Sequence, residues 1–452
     1  MAAAAQAPPA NVVLILCDDL GYADLGCYGN RTIQTPNLDR LAAESTRFTD
    51  FHTTSPVCTP SRTALITGQY QQRFGIHHAD GPETTRRYML PESAITLAEV
   101  LHDNGYYTAH VGKWHLGEPP QAPHPFDQGF DHFFGHFGGR PSSGWIRYAR
   151  SMNPEMVRGK ERPVVHQGHV TEVQAKEALD VIDARAGRGP FFLNLWLNAP
   201  HEPLSPLDNQ AKTYPHWSKE EQTYFQTVTD IDRAVGQILT KLEEKGIASN
   251  TLVIFTSDNG PEAHSFAYSR GAAYPLRGMK TQLWEGGIRV PFLMRLPARV
   301  PAGRVSHAVA SMLDVFPTVL AATGAKPKSK LDLDGGVDLI AAATRGAKLE
   351  NRTLFFEFRS QQRGVASSLP LAVRKGRWKL FADESFEKME LYDLDADIGE
   401  SRNVAAQQSA VRGALLTELK GWRKRFPLTQ LPPAQRVETP SLEELAKRPY
   451  HD

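Results

Sequence analysis

Short, continuous apolar runs alternate along the chain with longer amphipathic stretches. Asn11 to Cys17 (Asn-Val-Val-Leu-Ile-Leu-Cys), Tyr106 to Val111, Pro190 to Leu197 and Thr251 to Thr256 are runs of strand length. The first of these is a continuous apolar run, which suits a strand covered on both faces, as in a parallel sheet. Between them Leu38 to Glu44, Leu97 to Asn104, Val170 to Ala186 and Glu220 to Lys245 read as helices. Thr35-Pro36-Asn37 precedes the first, and Gly105 and Gly246 close the second and fourth. Phe292 to Met294 adds a strand and Ser311 to Thr323 a helix. This alternation predicts an α/β fold with a large, mostly parallel central sheet flanked by helices.

Near residues 325–350 the pattern loosens. Beyond it, short strands are predicted at Arg352 to Phe358, Leu371 to Arg374, Trp378 to Phe381 and Glu390 to Leu394, with turns such as Lys375-Gly376, before a closing helix from Ser409 to Arg425. The expected organisation is a catalytic α/β domain over 11–345. A smaller C-terminal subdomain over 346–452 then combines an antiparallel sheet, a helix and a Pro-rich surface tail from Pro427. Residues 118–169, rich in Pro, Gly, His and aromatics, read as a long irregular segment, which is more often functional than spacer.

The polar residues that end the apolar runs change the picture. Asp18-Asp19-Leu20-Gly21, Gly112-Lys113-Trp114-His115, Ala199-Pro200-His201 and Ser257-Asp258-Asn259-Gly260 each stand at or just after a strand end. Open α/β sheets bind ligands beyond the carboxyl ends of their strands, so these clusters are expected to share one edge and one site. Asp18, Asp19, Asp258 and Asn259 offer hard oxygen donors, and crowded carboxylates call for a cation, Ca²⁺ first and Mg²⁺ second. If the strand continues through Lys113-Trp114-His115, Lys113 and His115 share one side. Singly, each feature has a bland reading: Asp-Asp as a turn, Lys280 as a solvated lysine, any one of 16 histidines as structural. Cys58-Thr59-Pro60-Ser61-Arg62, running on to Gly68, reads as a short helix with Cys58 at its N-terminus, where the dipole favours negative charge. Arg62, about one turn on, reaches back beside it. Such a cysteine is either an inert buried thiol or a reactive group.

Composition narrows the partners. Lys+Arg 51 against Asp+Glu 50 leaves +1, so no global field draws the chain to nucleic acid or to an anionic membrane. No apolar run approaches the roughly 20 residues of a membrane span. Cys17, Cys27 and Cys58 make no disulfide framework; a Cys17–Cys27 bridge stays open, with free thiols expected. Ala5-Gln6-Ala7 has the small-x-small form of a leader cleavage site without the regions that precede one. The expectation is a periplasmic or secreted protein whose leader has been removed, with a cytoplasmic location as the alternative.

Cys-Thr-Pro-Ser-Arg with its trailing Leu-Ile-Thr-Gly resembles the signature of the type I (formylglycine-dependent) sulfatases, of the alkaline phosphatase-like superfamily. Asp18-Asp19, Lys113-x-His115, His201, Asp258-Asn259 and Lys280 extend the resemblance over roughly residues 11–395. It implies that a maturation enzyme oxidises Cys58 to formylglycine, whose hydrated gem-diol attacks sulfur, with Asp18, Asp19, Asp258, Asn259 and residue 58 holding Ca²⁺. It also implies a sulfate pocket of Arg62, Lys113, His115, His201 and Lys280. Lys113 and Lys280 would neutralise sulfuryl oxygens; Arg62 and His115 would position the gem-diol, with Asp258 as its base. His201, or else Lys280, would protonate the leaving alcohol, and His115 would drive release of sulfate. A second hydroxyl on the nucleophile explains why a plain Ser or Cys is inadequate.

The expected substrate is a sulfate monoester of a carbohydrate. Aromatics with Arg and His suit sugar rings and further anions, which points to His136, Arg140 and Trp145 with His264 and Arg277. His124, His132, Arg147, His166, Arg270, Arg359 and Arg363 are lesser candidates. The alternatives are an arylsulfatase, a phosphonate or phosphate ester hydrolase of the same superfamily, and an inactive binder of sulfated glycans. Glu390-Leu391-Tyr392-Asp393-Leu394 and Glu400-x-x-Asn403 resemble the family's C-terminal motif, with Asp395-Ala396-Asp397 where an Asp-Pro turn is usual.

Overall fold

A computed structural model gives the fold and describes residues 9–79, 89–119, 122–138, 152–202, 204, 210–262, 273–345, 349, 352–359 and 368–426. The strands in chain order are β1 (Asn11–Asp18), β2 (Thr46–Phe48), β3 (Phe51–His52), β4 (Tyr107–Lys113), β5 (His132–His136), β6 (Glu155–Arg158), β7 (Val164–Val165), β8 (Phe191–Pro200), β9 (Thr251–Ser257), β10 (Phe292–Arg295), β11 (Arg304–Ser306) and β12 (Ala310–Ser311). Among the described residues, ten of them form one sheet in the order β11-β2-β10-β9-β1-β8-β4-β5-β6-β7. Its centre, β9-β1-β8-β4-β5, is parallel throughout. Antiparallel β10 and β6 flank that centre.

Every residue of β1 is buried, as its unbroken apolar run requires. Val12, Leu14 and Leu16 pack into one core, and Val13, Ile15 and Cys17 into the other. The first core includes Leu65 and Ile66 of α2 (Cys58–Thr67) and Leu97 and Leu101 of α3 (Leu97–Asp103). The second takes Leu38 and Leu41 from α1 (Pro36–Ala43), Val181 and Ile182 from α4 (Val170–Arg185), and, beyond α5 (Gln210–Thr213), Val228, Ile231 and Val235 from α6 (Lys219–Glu244). Each fully buried side chain of this size contributes about 1.5–3 kcal/mol. α6 starts at a capping box between Ser218 and Glu221.

The remaining strands, β13 (Thr353–Glu357), β14 (Leu371–Lys375), β15 (Trp378–Ala382) and β16 (Met389–Asp393), form an antiparallel meander. The helix Ser409–Arg425 covers it through Leu415, Leu419 and Trp422, in a core shared with Ala64, Tyr70 and Leu313. The turn without proline after β16 closes through the N–H groups of Ala396 and Asp397 on the Asp393 carbonyl.

The structure corrects one expectation. Residues 118–169 are not a single irregular segment: β5, β6 and β7 lie there, and β5 extends the parallel centre. Its sequence, His-Phe-Phe-Gly-His, hides a strand because Gly135 replaces an apolar side chain. A Cβ on Gly135 would stand 1.8 Å from the Gly112 carbonyl oxygen, so only glycine lets β4 and β5 approach. The loosened stretch likewise holds a helix, Leu339–Arg345. The three cysteines are free thiols. No helix among the described residues is long and apolar enough to cross a membrane.

Candidate active site

Because β9, β1, β8 and β4 are parallel neighbours, their carboxyl ends bring Asp258, Asp18, His201 and Lys113 to one edge. Each chain turns sharply there. Asp19 and His115 have φ of 70° and 56°, in the left-handed region that costs a non-glycine residue on the order of 1–3 kcal/mol. The strand alternation expected to join Lys113 to His115 ends at Lys113. The backbone reversal at His115 instead returns its ring to the cluster, while Trp114 turns away to stack on Trp196 with ring centroids 5.9 Å apart.

Cys58 is the first residue of α2, whose ten residues are all buried and which ends at Gly68 in the left-handed conformation. Val57 supplies no side-chain cap to the N-terminal N–H groups of this helix. Arg62 reaches back one turn. Its Nε donates to Asp258 Oδ2 at 2.8 Å, its Nη2 lies 2.7 Å from the same oxygen, its Nη1 donates to the Lys113 carbonyl at 2.8 Å, and the guanidinium lies 5.1 Å from the Trp196 ring centroid. Lys113 Nζ donates to Asp18 Oδ2 at 2.6 Å. Lys280 Nζ donates to Asp19 Oδ2 at 2.8 Å and lies 2.7 Å from Glu262 Oε2. His201 Nε2 lies 3.7 Å from Asp19 Oδ2. Asn259 Nδ2 donates to Asp19 Oδ1 at 2.7 Å.

These neighbours set the ionisation of the cluster. Burial raises the Cys58 thiol above its ordinary value despite Lys113 and Lys280, so a thiolate is disfavoured. Burial works against the Asp18 carboxylate, yet Lys113 foremost holds it well below the usual range. Burial, then the charge of Asp18, pushes Asp258 up to about 7. Burial, then Lys113 and Arg62, drives His115 far down; burial, then Lys280, takes His201 to about 3. Burial opposes the Lys280 charge, but Asp19 and Glu262 outweigh it and hold the ammonium well above its usual value.

The donor set fits a hard divalent cation. Ligand atoms of Asp18, Cys58 and Asp258 lie within 4.8 Å of one another, as do those of Asp18, Asp19 and His201. Asp18 Oδ1 and Asn259 Oδ1 are buried without a hydrogen-bond partner, a state that normally costs about 1–3 kcal/mol per group and that a cation would relieve. Both His115 ring nitrogens are likewise unpartnered.

Of the five expected substrate residues, His136 and Arg277 lie among the described residues. His136 is 2 % exposed, with Nδ1 on the Gly138 carbonyl and Nε2 on Asn198. Arg277 donates to the Glu400 carbonyl at 2.6 Å, and its guanidinium lies 3.8 Å from the Trp284 ring centroid. His124 caps a turn and reaches the Gly159 carbonyl, His132 pairs with Glu177, His166 packs edge-on against Phe134, and Arg359 pairs with Glu384. Arg140, Trp145, Arg147, His264, Arg270 and Arg363 lie outside the described residues. Two participants went unread in the sequence: Glu262, whose nearness to Asp258-Asn259 was the available signal, and Trp196, an ordinary apolar residue of β8 until Arg62 is placed over it.

A helix N-terminus bearing a buried Cys58, with Arg62, Lys113 and Lys280 close by and carboxylates behind it, thus stands at the carboxyl edge of a parallel sheet, in a fold of the alkaline phosphatase-like class. The chain belongs to the sulfatase family, and is thus a sulfuric ester hydrolase: residues 10–325 match the sulfatase family model, and 279–425 match that of the N-sulphoglucosamine sulphohydrolase C-terminal region. It is 38% identical over 371 residues to N-acetylgalactosamine-6-sulfatase of Canis lupus familiaris, covering 78% of this chain and 69% of that one. It is 34% identical over 458 residues to arylsulfatase A of Homo sapiens, covering 92% and 87%. Among solved structures it is similar to Ps i-CgsB in complex with k-i-k-neocarrahexaose, with a TM-score of 0.81 and 29% identity over 95% of this chain and 96% of that one.

Proposed function

We propose that this sulfatase hydrolyses sulfate monoesters of a carbohydrate at Cys58, matured to formylglycine, beside a Ca²⁺ ion. The observation that carries the reading is the pairing of Arg62, Lys113 and Lys280 with Asp258, Asp18 and Asp19 around a buried residue 58, next to the unpartnered oxygens of Asp18 and Asn259. Asp18, Asp19, Asp258, Asn259 and residue 58 would hold the ion. When present, formylglycine supplies a hydrated aldehyde as nucleophile, and the ion supplies positive charge beside it.

The chain's own residues do the rest. Lys113 and Lys280 bind sulfuryl oxygens and orient the ester in line with residue 58. Arg62 and Asp258 form a buried pair, and the Asp258 carboxylate accepts the nucleophile's proton. His201 gives a proton to the departing alcohol, with Lys280 as the other candidate. Its ring, held at about 3 in the free chain, gains that proton only with an anionic ester against it. His115, buried with both nitrogens free of partners, takes the proton of the second hydroxyl as sulfate leaves. His136 and Arg277, already bonded within the chain, support the site rather than the sugar.

The names N-acetylgalactosamine-6-sulfatase and neocarrahexaose support a sugar leaving group, whereas arylsulfatase A supports the alternative. Mass spectrometry of the peptide containing residue 58 is expected to find formylglycine in protein produced with a formylglycine-generating enzyme. That protein is expected to release sulfate from sulfated mono- or oligosaccharides, and a Cys58→Ala variant to fall to background. Full turnover by Cys58→Ala, or by protein keeping its thiol, overturns the mechanism; turnover of aryl sulfates alone overturns the carbohydrate assignment.

A further inference from the structure

Glu400 belongs to the Glu400-x-x-Asn403 motif and takes no part in the chemistry above, yet it is 0 % exposed and held at φ 48°. Asn403 serves the antiparallel sheet: its Oδ1 accepts the N–H groups of Leu391 and Ala405. Glu400 faces the large sheet instead. Its Oε2 accepts the Glu285 N–H at 2.6 Å, its Oε1 lies 3.0 Å from Lys379 Nζ, and its carbonyl accepts from Arg277 Nη1 at 2.6 Å.

Arg277 and Glu285 bracket Lys280. The Gly286 N–H donates to the Arg277 carbonyl at 2.6 Å and closes this segment into a loop. Its tip is fastened to the site: the Lys280 N–H donates to the Pro261 carbonyl and the Thr281 N–H to the Pro56 carbonyl, each at 2.9 Å. Those carbonyls lie on the segments carrying Asp258 and Cys58. The loop has no slack, since a Cβ on Gly286 would stand 2.3 Å from the Gly278 carbonyl oxygen and one on Gly287 2.0 Å from that of Gln282. Movement at its base therefore passes to Lys280.

The base rests on the C-terminal sheet. Glu285 Oε1 lies 2.9 Å from Lys379 Nζ of β15, and Glu285 Oε2 lies 3.0 Å from both Arg374 Nη1 of β14 and His52 Nε2. Asp50, His52 and Glu285 stand close enough together to hold a metal, but Arg374 Nη1 already lies 2.7, 2.9 and 3.0 Å from them, so the guanidinium is their cation. Buried charges paired in this way define one arrangement of the parts they join, because each alternative strands a charge.

We propose that Glu400 is a positioning residue for Lys280: from the C-terminal sheet, Glu400 with Lys379 fixes the loop 277–286, and so sets where the Lys280 ammonium meets the sulfuryl group. The proposal rests on the role given to Lys280 above. Misplacing a catalytic group by about 1 Å costs up to about 10²-fold in rate, so the effect belongs in kcat.

The test is a double-mutant cycle on the matured, Ca²⁺-loaded full chain with 4-nitrophenyl sulfate, with thermal unfolding measured for each variant. Lys280→Ala is expected to lower kcat about 10²-fold, and Glu400→Ala on the order of tenfold with KM little changed. The double variant is expected to be no slower than Lys280→Ala alone. Glu400→Gln is expected to restore most of kcat, because its amide oxygen still accepts the Glu285 N–H. Losses that multiply in the double variant overturn the proposal, as does a folded Glu400→Ala with unchanged kcat or one that glutamine does not rescue. If Glu400→Ala does not fold, Arg277→Gln, which removes the bond to the Glu400 carbonyl, replaces it in the cycle and is judged by the same non-additivity. An unchanged kcat in Lys280→Ala overturns the role of Lys280 and the proposal with it; a reduced kcat with multiplying losses overturns the proposal alone.

Discussion

Arg62 is fully buried, with its guanidinium against Asp258, the Lys113 carbonyl and the face of Trp196. Arg62→Met would leave Asp258 buried beside Asp18 without its hydrogen-bond partner, a loss of about 1–3 kcal/mol. The urea midpoint of the variant is expected to fall accordingly. Arg62→Lys is expected to recover only part of it, because an ammonium cannot fork between a carboxylate and a carbonyl. Asp24 tests the converse case. It accepts from Tyr224 Oη and from the Gly21 N–H in the loop carrying Asp18 and Asp19, and burial pushes it up to about 7. A carboxyl raised on folding contributes stability that is complete below its unfolded value, near 4, and is lost as pH rises through its folded value. The contribution of Asp24 to stability is therefore expected to decline from pH 4 to about 7, by roughly 4 kcal/mol at most. Asp24→Asn is expected to remove that part of the slope; denaturant midpoints across this range decide, and an identical slope in the variant refutes the assignment.

At the scale of elements, the site depends on how closely β4, β8 and β5 approach. Gly112, one residue before Lys113, has φ 112°, and a Cβ there would stand 1.9 Å from the Trp196 carbonyl oxygen. Gly112→Ala is expected to push β4 from β8, displacing Lys113 and His115 and lowering both the unfolding midpoint and kcat. A variant with wild-type midpoint and rate would show that the contact relaxes freely. The same strands mark what the sequence made legible. β1 could be read from its unbroken apolar run, as a strand covered on both faces requires, and β4, β8 and β9, which also carry Thr108, His110 and Asn194, from their strand length and from the site residues that end them. β5 could not, because Gly135 exists for the backbone of β4, and no pattern within five residues reveals a neighbouring strand. The antiparallel direction of β10 was hidden too, since a strand buried on both faces looks alike in either direction. Lys113, His201 and Asp258 were legible from strand ends. The bond between Glu285 and Glu400 was not, because 115 residues separate them and only tertiary packing pairs them.

At the scale of the molecule, charge decides how an anion is drawn in. A net +1 supplies no long-range pull, so attraction must arise within the site. There Asp18, Asp19, Asp258 and Glu262 stand against Arg62, Lys113 and Lys280, one carboxylate more than cations. That excess repels a sulfate ester, and burial together with the Asp18 charge lifts Asp258 to about 7, where it takes up a proton near neutrality. A bound divalent ion turns the excess to one positive charge and requires Asp258 ionised. Ca²⁺ binding is therefore expected to release a proton at pH 6 but not at pH 9, seen as a calorimetric heat that varies with the ionisation enthalpy of the buffer only at the lower pH. Inorganic sulfate is expected to bind the Ca²⁺-loaded protein and not protein stripped with EGTA and desalted. Ca²⁺ at a hundred times its dissociation constant is expected to add about 2.7 kcal/mol of stability. Equal sulfate affinity with and without the ion would mean that the lysines alone hold the anion. A heat independent of buffer at pH 6 would mean that Asp258 is already ionised in the free site, and with it the charge balance drawn from these residues would fail.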